Sequence, residues 1–200
     1  MNFLAHIYLS GDNHLVKIGN FSADAVKGSH YLRYPRDMQI GILLHRFIDD
    51  FTDRHPTFRT SKRRLQPKYG LYSGVIIDIF YDHLLAKNWN RYHPQPLGEY
   101  VSEFYGILQD HFELLPERFQ YLTPFMIEDN WLLSYANIDG IQRVLNGMHR
   151  RTKGRSKMNE ATEELQMHYQ DFERDFFTFF EALQNSSENK LIELQTLYDT

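Results

Sequence analysis

Residues 45–53 read HRFIDDFTD, and this stretch decides both the fold and the site. If it is helical, His45, Asp49 and Asp53 recur at every fourth position, so one imidazole and two carboxylates lie on the same helix face. The stretch follows the apolar run IGILL at residues 40–44, where short acidic side chains need a partner because unpaired buried carboxylates are costly. A divalent metal ion would satisfy this face. The alternative is a solvated face with a capping aspartate.

The composition is that of a globular protein without an overall positive charge. The chain has 200 residues, of which 15% are aromatic and 24% are charged, so a disordered chain is excluded. Its formal net charge of −4 disfavours a nucleic-acid partner. The sequence contains no cysteine, which excludes disulfides, thiolate nucleophiles and cysteine-ligated zinc.

The sequence predicts a cytoplasmic location. Asn2 and His6 interrupt the first apolar stretch, which therefore does not resemble a secretory signal. No apolar run approaches the length of a membrane span. We expect neither export nor insertion into a membrane.

Helical periodicity and proline positions predict an all-α bundle. The helix that carries His45 should end before Pro56, because the residue before a proline is disfavoured in the α conformation, and a second helix should follow. Residues 75–79 hint at a strand, but the apolar run that contains them is long and favours a buried helix. The fold class is therefore an all-α, single-domain helical bundle over residues 1–200, in which residues 184–200 form a polar, partly helical tail.

Three further expectations concern the bounds of helices. A helix over residues 15–28 should contain Asp24. Pro116 and Pro124 should each begin a new helix, since proline is favoured in the first turn. The aromatic stripe of residues 158–183 is typical of one core-facing helix.

A second acidic face is predicted on the helix that follows Tyr72. Asp78 and Asp82 are four residues apart, and Asp78 interrupts the apolar run VIIDIF at residues 75–80. An unpaired carboxylate buried there would cost several kcal/mol, which is comparable with the stability of a whole domain. Asp78 is therefore expected to have a cation, a histidine or a metal ion as its partner.

The two acidic faces and two isolated residues supply the candidate site. The set comprises His6, Asp24, His45, Asp49, Asp53, Asp78, Asp82 and His83. Mixed imidazole and carboxylate ligands suit Mn²⁺, Fe²⁺, Co²⁺, Zn²⁺ or Mg²⁺, and such ions promote phosphoester hydrolysis by activating water and neutralising phosphoryl charge. The chain has no phosphate-binding P-loop and no nucleophile elbow. Metal-assisted phosphoester hydrolysis is the expected reaction class.

Five motifs in the same order resemble one known family. They read NFLAH at residues 2–6, GNxxAD at 19–24, HRxIDxxTD at 45–53, DxxxDHxL at 78–85 and VLNGM at 144–148. Together they resemble the acyl carrier protein phosphodiesterases, also called acyl carrier protein hydrolases, over residues 1–180. The resemblance implies a divergent branch of the all-helical HD-type phosphohydrolases. It also implies release of 4′-phosphopantetheine from a serine of holo acyl carrier protein, with Mn²⁺ as the preferred divalent ion and Mg²⁺ or another divalent ion as the alternative.

The resemblance also implies roles for individual residues. Asp24, His6 and His45 are the implied catalytic residues, with His6 as a metal ligand or as the proton donor to the leaving serine oxygen. The implied metal ligands are Asp24, His45, Asp49, Asp78, Asp82 and His83. Asp53 is expected to orient a ligand histidine from behind. The standard His-Asp doublet of HD-type enzymes is absent, and Asp82-His83 has the reversed order.

An acidic carrier protein as substrate predicts a basic docking surface near the site, because complementary charge speeds encounter. The candidates are Arg46, Arg59, Lys62, Arg63 and Arg64, with residues 150–157 as a second basic patch. Two alternatives stay open at this point. One is an HD-like phosphohydrolase that acts on a nucleotide or another small phosphodiester, and the other is a non-catalytic helical binding module.

Overall fold

The computed structural model describes residues 1–199, and this part of the chain forms helices and no strand. The α-helices are α1 Phe3–Tyr8, α2 His14–Ser22, α3 Arg36–Arg54, α4 Pro56–Tyr69, α5 Ser73–Lys87, α6 Leu97–Asp110, α7 Glu117–Glu128, α8 Trp131–Ser134, α9 Ile138–Arg151, α10 Ala161–Met167 and α11 Tyr169–Asp199. The all-α prediction is confirmed. Thr200, the last residue of the predicted tail, lies outside the described residues.

Helix α3 ends, and helices α4 and α5 begin, where the sequence predicts. The central helix α3 follows Pro35 and ends at Arg54, one residue before the His55-Pro56 pair. Pro56 occupies the first turn of α4, where its missing N–H is not needed. The apolar run of residues 75–79 lies inside α5, most of which is buried. Local chain breaks therefore define these three helices.

Three boundary predictions were wrong. Helix α2 ends at Ser22, and Asp24 lies in the separate 3-10 turn Ala23–Ala25. Pro124 is inside α7, whose buried residues Phe119, Thr123 and Met126 lie on both sides of it, so packing of one face carries the helix through the proline. The predicted helix over 158–183 is divided at His168, between α10 and α11.

The C-terminal segment is a continuation of α11 rather than a separate tail. Leu194 is only 4% exposed, and Leu191 packs against the same hydrophobic core. Burial of this apolar face stabilises the helix beyond the point where the sequence becomes polar. Among the helices of residues 1–199, none combines the length and the apolar character that a membrane crossing requires.

Two glycines allow α2 and α3 to pack backbone against backbone. A Cβ atom added to Gly41 would lie 2.2 Å from the carbonyl oxygen of Val16 and 2.7 Å from the amide nitrogen of Asn20. A Cβ added to Gly19 would lie 2.2 Å from the carbonyl oxygen of Met38. No larger residue fits at these contacts without movement of the backbone. The close approach brings the backbone of Asn20 next to the helix that carries His45.

Candidate metal centre

Two histidines and one aspartate converge at the contact of α1 with α3. The rings of His6 and His45 stack with centroids 4.1 Å apart. Asp49 bridges them, since its Oδ1 lies 3.3 Å from Nε2 of His6 and its Oδ2 lies 3.1 Å from Nε2 of His45. Within residues 1–199, this trio is the set whose ligand atoms all lie within 4.8 Å of one another. The face predicted from residues 45–53 is thus completed by a histidine from the first helix.

Asn20 determines the orientation and the tautomer of both histidines. Its side-chain Oδ1 lies 2.7 Å from Nδ1 of His6, and its backbone oxygen lies 2.8 Å from Nδ1 of His45. The amide orientation is set because Nδ2 of Asn20 donates to the carbonyl oxygen of His6 and to Ser10. Both Nδ1 atoms therefore face acceptors and carry the proton. The lone pair of each Nε2 is left pointing at Asp49.

This arrangement requires a positive charge between the imidazoles and the carboxylates. The Nε2 atoms of His6 and His45 are buried and make no hydrogen bond. Each faces a carboxylate oxygen, so without a cation or a proton two acceptors would oppose each other. Asp24 adds a further carboxylate, with its Oδ1 3.4 Å from Nε2 of His45. The donor set fits a divalent ion that accepts nitrogen and oxygen ligands.

The charges of the cluster are strongly coupled. Burial alone would lower the pKa of His45, but the carboxylates of Asp24 and Asp49 outweigh it and raise this pKa to about 9. Burial lowers the pKa of His6 to about 4, so this imidazole is neutral at ordinary pH. Although burial opposes it, contact with the two imidazoles holds the pKa of Asp49 far below its usual range. In the absence of metal, the proton on His45 supplies the missing positive charge.

A divalent ion held by His45 would therefore compete with the proton on this residue. We expect the affinity to rise about tenfold per pH unit between about pH 7 and pH 9, because one proton must leave for each ion that binds. Calorimetric titration with Mn²⁺ at several pH values measures this slope. Asp24→Asn removes one of the charges that raise the pKa of His45, so its slope should be shallower. An affinity that does not change over this range would contradict the competition.

Three of the other predicted residues lie at the same site. Asp24 is 59% exposed at its side chain and faces His45, while Asp53 and Asp78 line the same cavity. The Oδ1 of Asp78 accepts a 2.8 Å hydrogen bond from the α-amino group of Met1, so the partner required for this acid is a cation. The described contacts of the two Nδ1 atoms are with Asn20, and the carboxylate of Asp53 is not among them.

The structure does not bring Asp82 and His83 into this cluster. The carboxylate of Asp82 accepts hydrogen bonds from the backbone N–H groups of Asn2, Leu4 and Ala5 at 3.3, 2.7 and 3.3 Å, so it satisfies free donors at the start of α1. The two ring nitrogens of His83 contact the carbonyl oxygen of Tyr135 and the hydroxyl of Tyr169. The predicted role of Asp82 and His83 as metal ligands finds no support in this geometry, because the polar atoms of both side chains already have structural partners.

The candidate metal centre lines a cavity of about 1120 Å³. One part of its wall carries the acids and histidines of α1, α3 and α5. Another part carries cations of α4, α7 and α9, namely Lys62, Arg118, Arg143, Arg150 and Arg151. The cavity is large enough for an elongated substrate in contact with both.

Most of the predicted docking residues are engaged elsewhere. Arg46 donates to the carbonyl oxygens of Val26 and Gly28 and lies over the ring of Tyr31. Arg59 donates to the carbonyl oxygen of Asp53, and Arg63 donates to the carbonyl oxygen of Arg59. Arg64 forms an ion pair with Asp175. Of the five, Lys62 lines the cavity. A cluster of charges in sequence does not reveal whether each charge is free.

Sequence reasoning missed Asn20 and two of the cavity arginines as site residues. Asn20 stands in the GNxxAD motif, and this position was the available signal. Arg118 and Arg143 carry no comparable signal, because nothing in the local sequence indicates that α7 and α9 face the cavity. Only the packing of these helices identifies them.

The fold and the site define a class, an all-helical protein with a histidine and aspartate cluster that lines an open cavity. A family model described as acyl carrier protein phosphodiesterase matches residues 1–183. The chain belongs to this family, which makes it an enzyme of the hydrolase class.

Individual relatives align with this chain over nearly their whole length. A Photorhabdus laumondii protein named acyl carrier protein phosphodiesterase is 33% identical over 191 residues, which cover 95% of this chain and 96% of the relative. Proteins of the same name from an Enterobacter species and from Yersinia pestis are 34% and 30% identical, and the alignments cover 99% and 100% of those proteins. No solved structure matches the chain.

Proposed function

We propose that this enzyme hydrolyses the phosphodiester between 4′-phosphopantetheine and a serine of holo acyl carrier protein. The observation that carries the proposal is the pair of buried Nε2 atoms aimed at Asp49 in a chain of this family. The proposed products are apo carrier protein and free 4′-phosphopantetheine. The cytoplasmic location predicted from the sequence belongs to the same proposal.

We propose a divalent ion, preferably Mn²⁺ with Mg²⁺ as the alternative, held by His6, His45 and Asp49. When bound, the ion would supply Lewis-acid chemistry, activating water and neutralising charge on the phosphoryl group. Asp24 is exposed beside His45, which suits a group that binds the ion or accepts a proton from the attacking water. His6 suits a ligand rather than an acid, since Asn20 faces its Nδ1 and its lowered pKa keeps it neutral.

The bonds and protons of the proposed reaction balance simply. The oxygen of one water bonds to phosphorus while the bond from phosphorus to the serine oxygen breaks. The proton lost by the water is returned to that serine oxygen, directly or through Asp24. We further propose that the helical framework is a divergent HD-type arrangement, as the family resemblance of the five sequence motifs implies.

Incubation of the purified protein with Mn²⁺ and holo acyl carrier protein, followed by mass spectrometry of the carrier, tests the proposal. We expect conversion to the apo form, loss of conversion in EDTA, and a rate at least about 100-fold lower for Asp24→Ala. A panel of linear and cyclic nucleotides runs in parallel. Turnover of nucleotides with intact holo carrier would favour the other phosphohydrolase class. A folded protein inactive on both substrates would favour a binding module.

A further inference from the structure

We infer that the cavity mouth beside α7 and α9 is the docking surface for an acidic, amphipathic carrier protein. This inference rests on the proposed function and specifies its partner surface. The cationic part of the mouth, called the arginine rim below, consists of Lys62, Arg118, Arg143, Arg150 and Arg151. It differs from the patch on α3 and α4 that the sequence indicated.

The side chains of the arginine rim are available for a partner. Arg118, Arg143 and Arg150 are exposed, and their side chains form no hydrogen bond, ion pair or ring contact within residues 1–199. The described contact of Arg151 is a weak one, from Nη1 to the sulfur of Met148 at 3.6 Å. Arginines without an internal partner can pair with carboxylates of another molecule at little cost, since no existing bond has to break.

Apolar side chains at the same cavity mouth are also exposed to solvent. Leu71 is 96% exposed, Tyr121 is 74% exposed and Val75 is 36% exposed, and all three line the cavity. Exposed apolar side chains next to free arginines form the pattern of an interface, in which aromatic and arginine residues dominate. The matching surface is a helix that carries both acidic and apolar side chains.

The arginine rim also offsets the negative charge of the cavity, which would otherwise repel an anionic substrate. Five aspartates line the cavity, namely Asp24, Asp49, Asp53, Asp78 and Asp129, and the proton on His45 and the α-amino group of Met1 offset two of these charges. The five cationic residues of the rim exceed the three charges that remain. Without the rim, the mouth would repel both an acidic carrier and its phosphodiester. The cations lie on α4, α7 and α9, whereas the metal centre lies on α1 and α3, so a carrier bound at the rim can extend its attached arm toward the centre.

Charge reversal at the rim tests the inference. The test variant is Arg143→Glu with Arg150→Glu, and the matched variant is Arg59→Glu with Arg63→Glu, which makes the same charge change on the engaged patch of α4. We expect the rim variant to bind holo carrier protein in EDTA at least about tenfold more weakly, while the matched variant changes by less than about twofold. The dissociation constant of the wild type should also rise more steeply with salt than that of the rim variant.

The two failures are distinguishable. A wild type that cleaves the carrier, with a rim variant that binds normally or a matched variant equally weakened, would overturn only the docking inference. A wild type that does not cleave the carrier overturns the proposed function. The dissociation constants of the variants then test the docking inference independently of cleavage. Tighter binding of a short DNA duplex than of carrier protein would also overturn the inference. Thermal unfolding of both variants verifies that they are folded.

Discussion

Asp49→Asn is expected to weaken the proposed binding of Mn²⁺ strongly while leaving the fold intact. The side chain bridges both histidines, with one oxygen 3.3 Å from Nε2 of His6 and the other 3.1 Å from Nε2 of His45. An amide keeps the shape but removes the charge, and its NH₂ group can donate to one of the free lone pairs. Loss of residues that merely support a metal site costs about 10–100-fold in affinity, so we expect at least about a 100-fold loss here.

Asp50→Asn is the control for this substitution. Asp50 is the next residue on α3, but its carboxylate is exposed and pairs with Arg54 at 2.8 Å. The same chemical change should leave the Mn²⁺ affinity within about twofold of wild type, because exposed ion pairs contribute little. Calorimetric titration and thermal unfolding with and without Mn²⁺ measure both variants. Equal affinities of the Asp49→Asn variant and the wild type would exclude this aspartate as a ligand of the proposed metal centre.

Gly41→Ala is expected to produce the second large effect, on stability. Its new Cβ would lie 2.2 Å from the carbonyl oxygen of Val16, so α2 and α3 must separate. Overpacking of this kind typically costs about 1–3 kcal/mol in the free energy of unfolding, and a backbone contact cannot relax as a flexible side chain can, so we expect about 3 kcal/mol. Separation also moves the carbonyl of Asn20 away from His45, and the Mn²⁺ affinity should fall with the stability.

Gly106→Ala provides the comparison, since it makes the same change in the middle of α6. A Cβ added there meets no atom within 4 Å, so alanine should stabilise the helix by about 0.5–1 kcal/mol. Urea denaturation of the two variants gives opposite signs if the close contact of α2 with α3 is essential. A Gly41→Ala variant as stable as wild type would show that this contact tolerates a methyl group.

The residues around α3 show why sequence predicted part of the site. A spacing of four places His45 and Asp49 on one face of any helix, and Pro56 ends that helix through a local steric effect. Both facts hold whatever the rest of the chain does. Asp78 was likewise expected to need a charged partner because it interrupts an apolar run, although the identity of that partner came only from the packing of the N-terminus against α5.

The partners of Asp82 and Arg64 show where such reasoning stops. Asp82 shares a helical face with Asp78 by spacing, yet it serves the free N–H groups of α1, which lie about eighty positions away in the sequence. Arg64 belongs to the most basic stretch of α4, yet it pairs with Asp175 on α11. A residue's spacing predicts its neighbours on the same helix, whereas its true partner is chosen by contacts between helices.

The sequence by itself determined the all-helical class, the end of α3, the starts of α4 and α5, the family and the acidic face that carries His45 and Asp49, because these depend on local periodicity, chain breaks and motif order. Only the tertiary structure decided that His6 joins that face, that Asn20 sets both imidazoles, and that the free cations lie on α7 and α9. The physical reason is that the His6, His45 and Asp49 cluster requires atoms from distant parts of the chain within a few ångströms, and close packing alone brings them there.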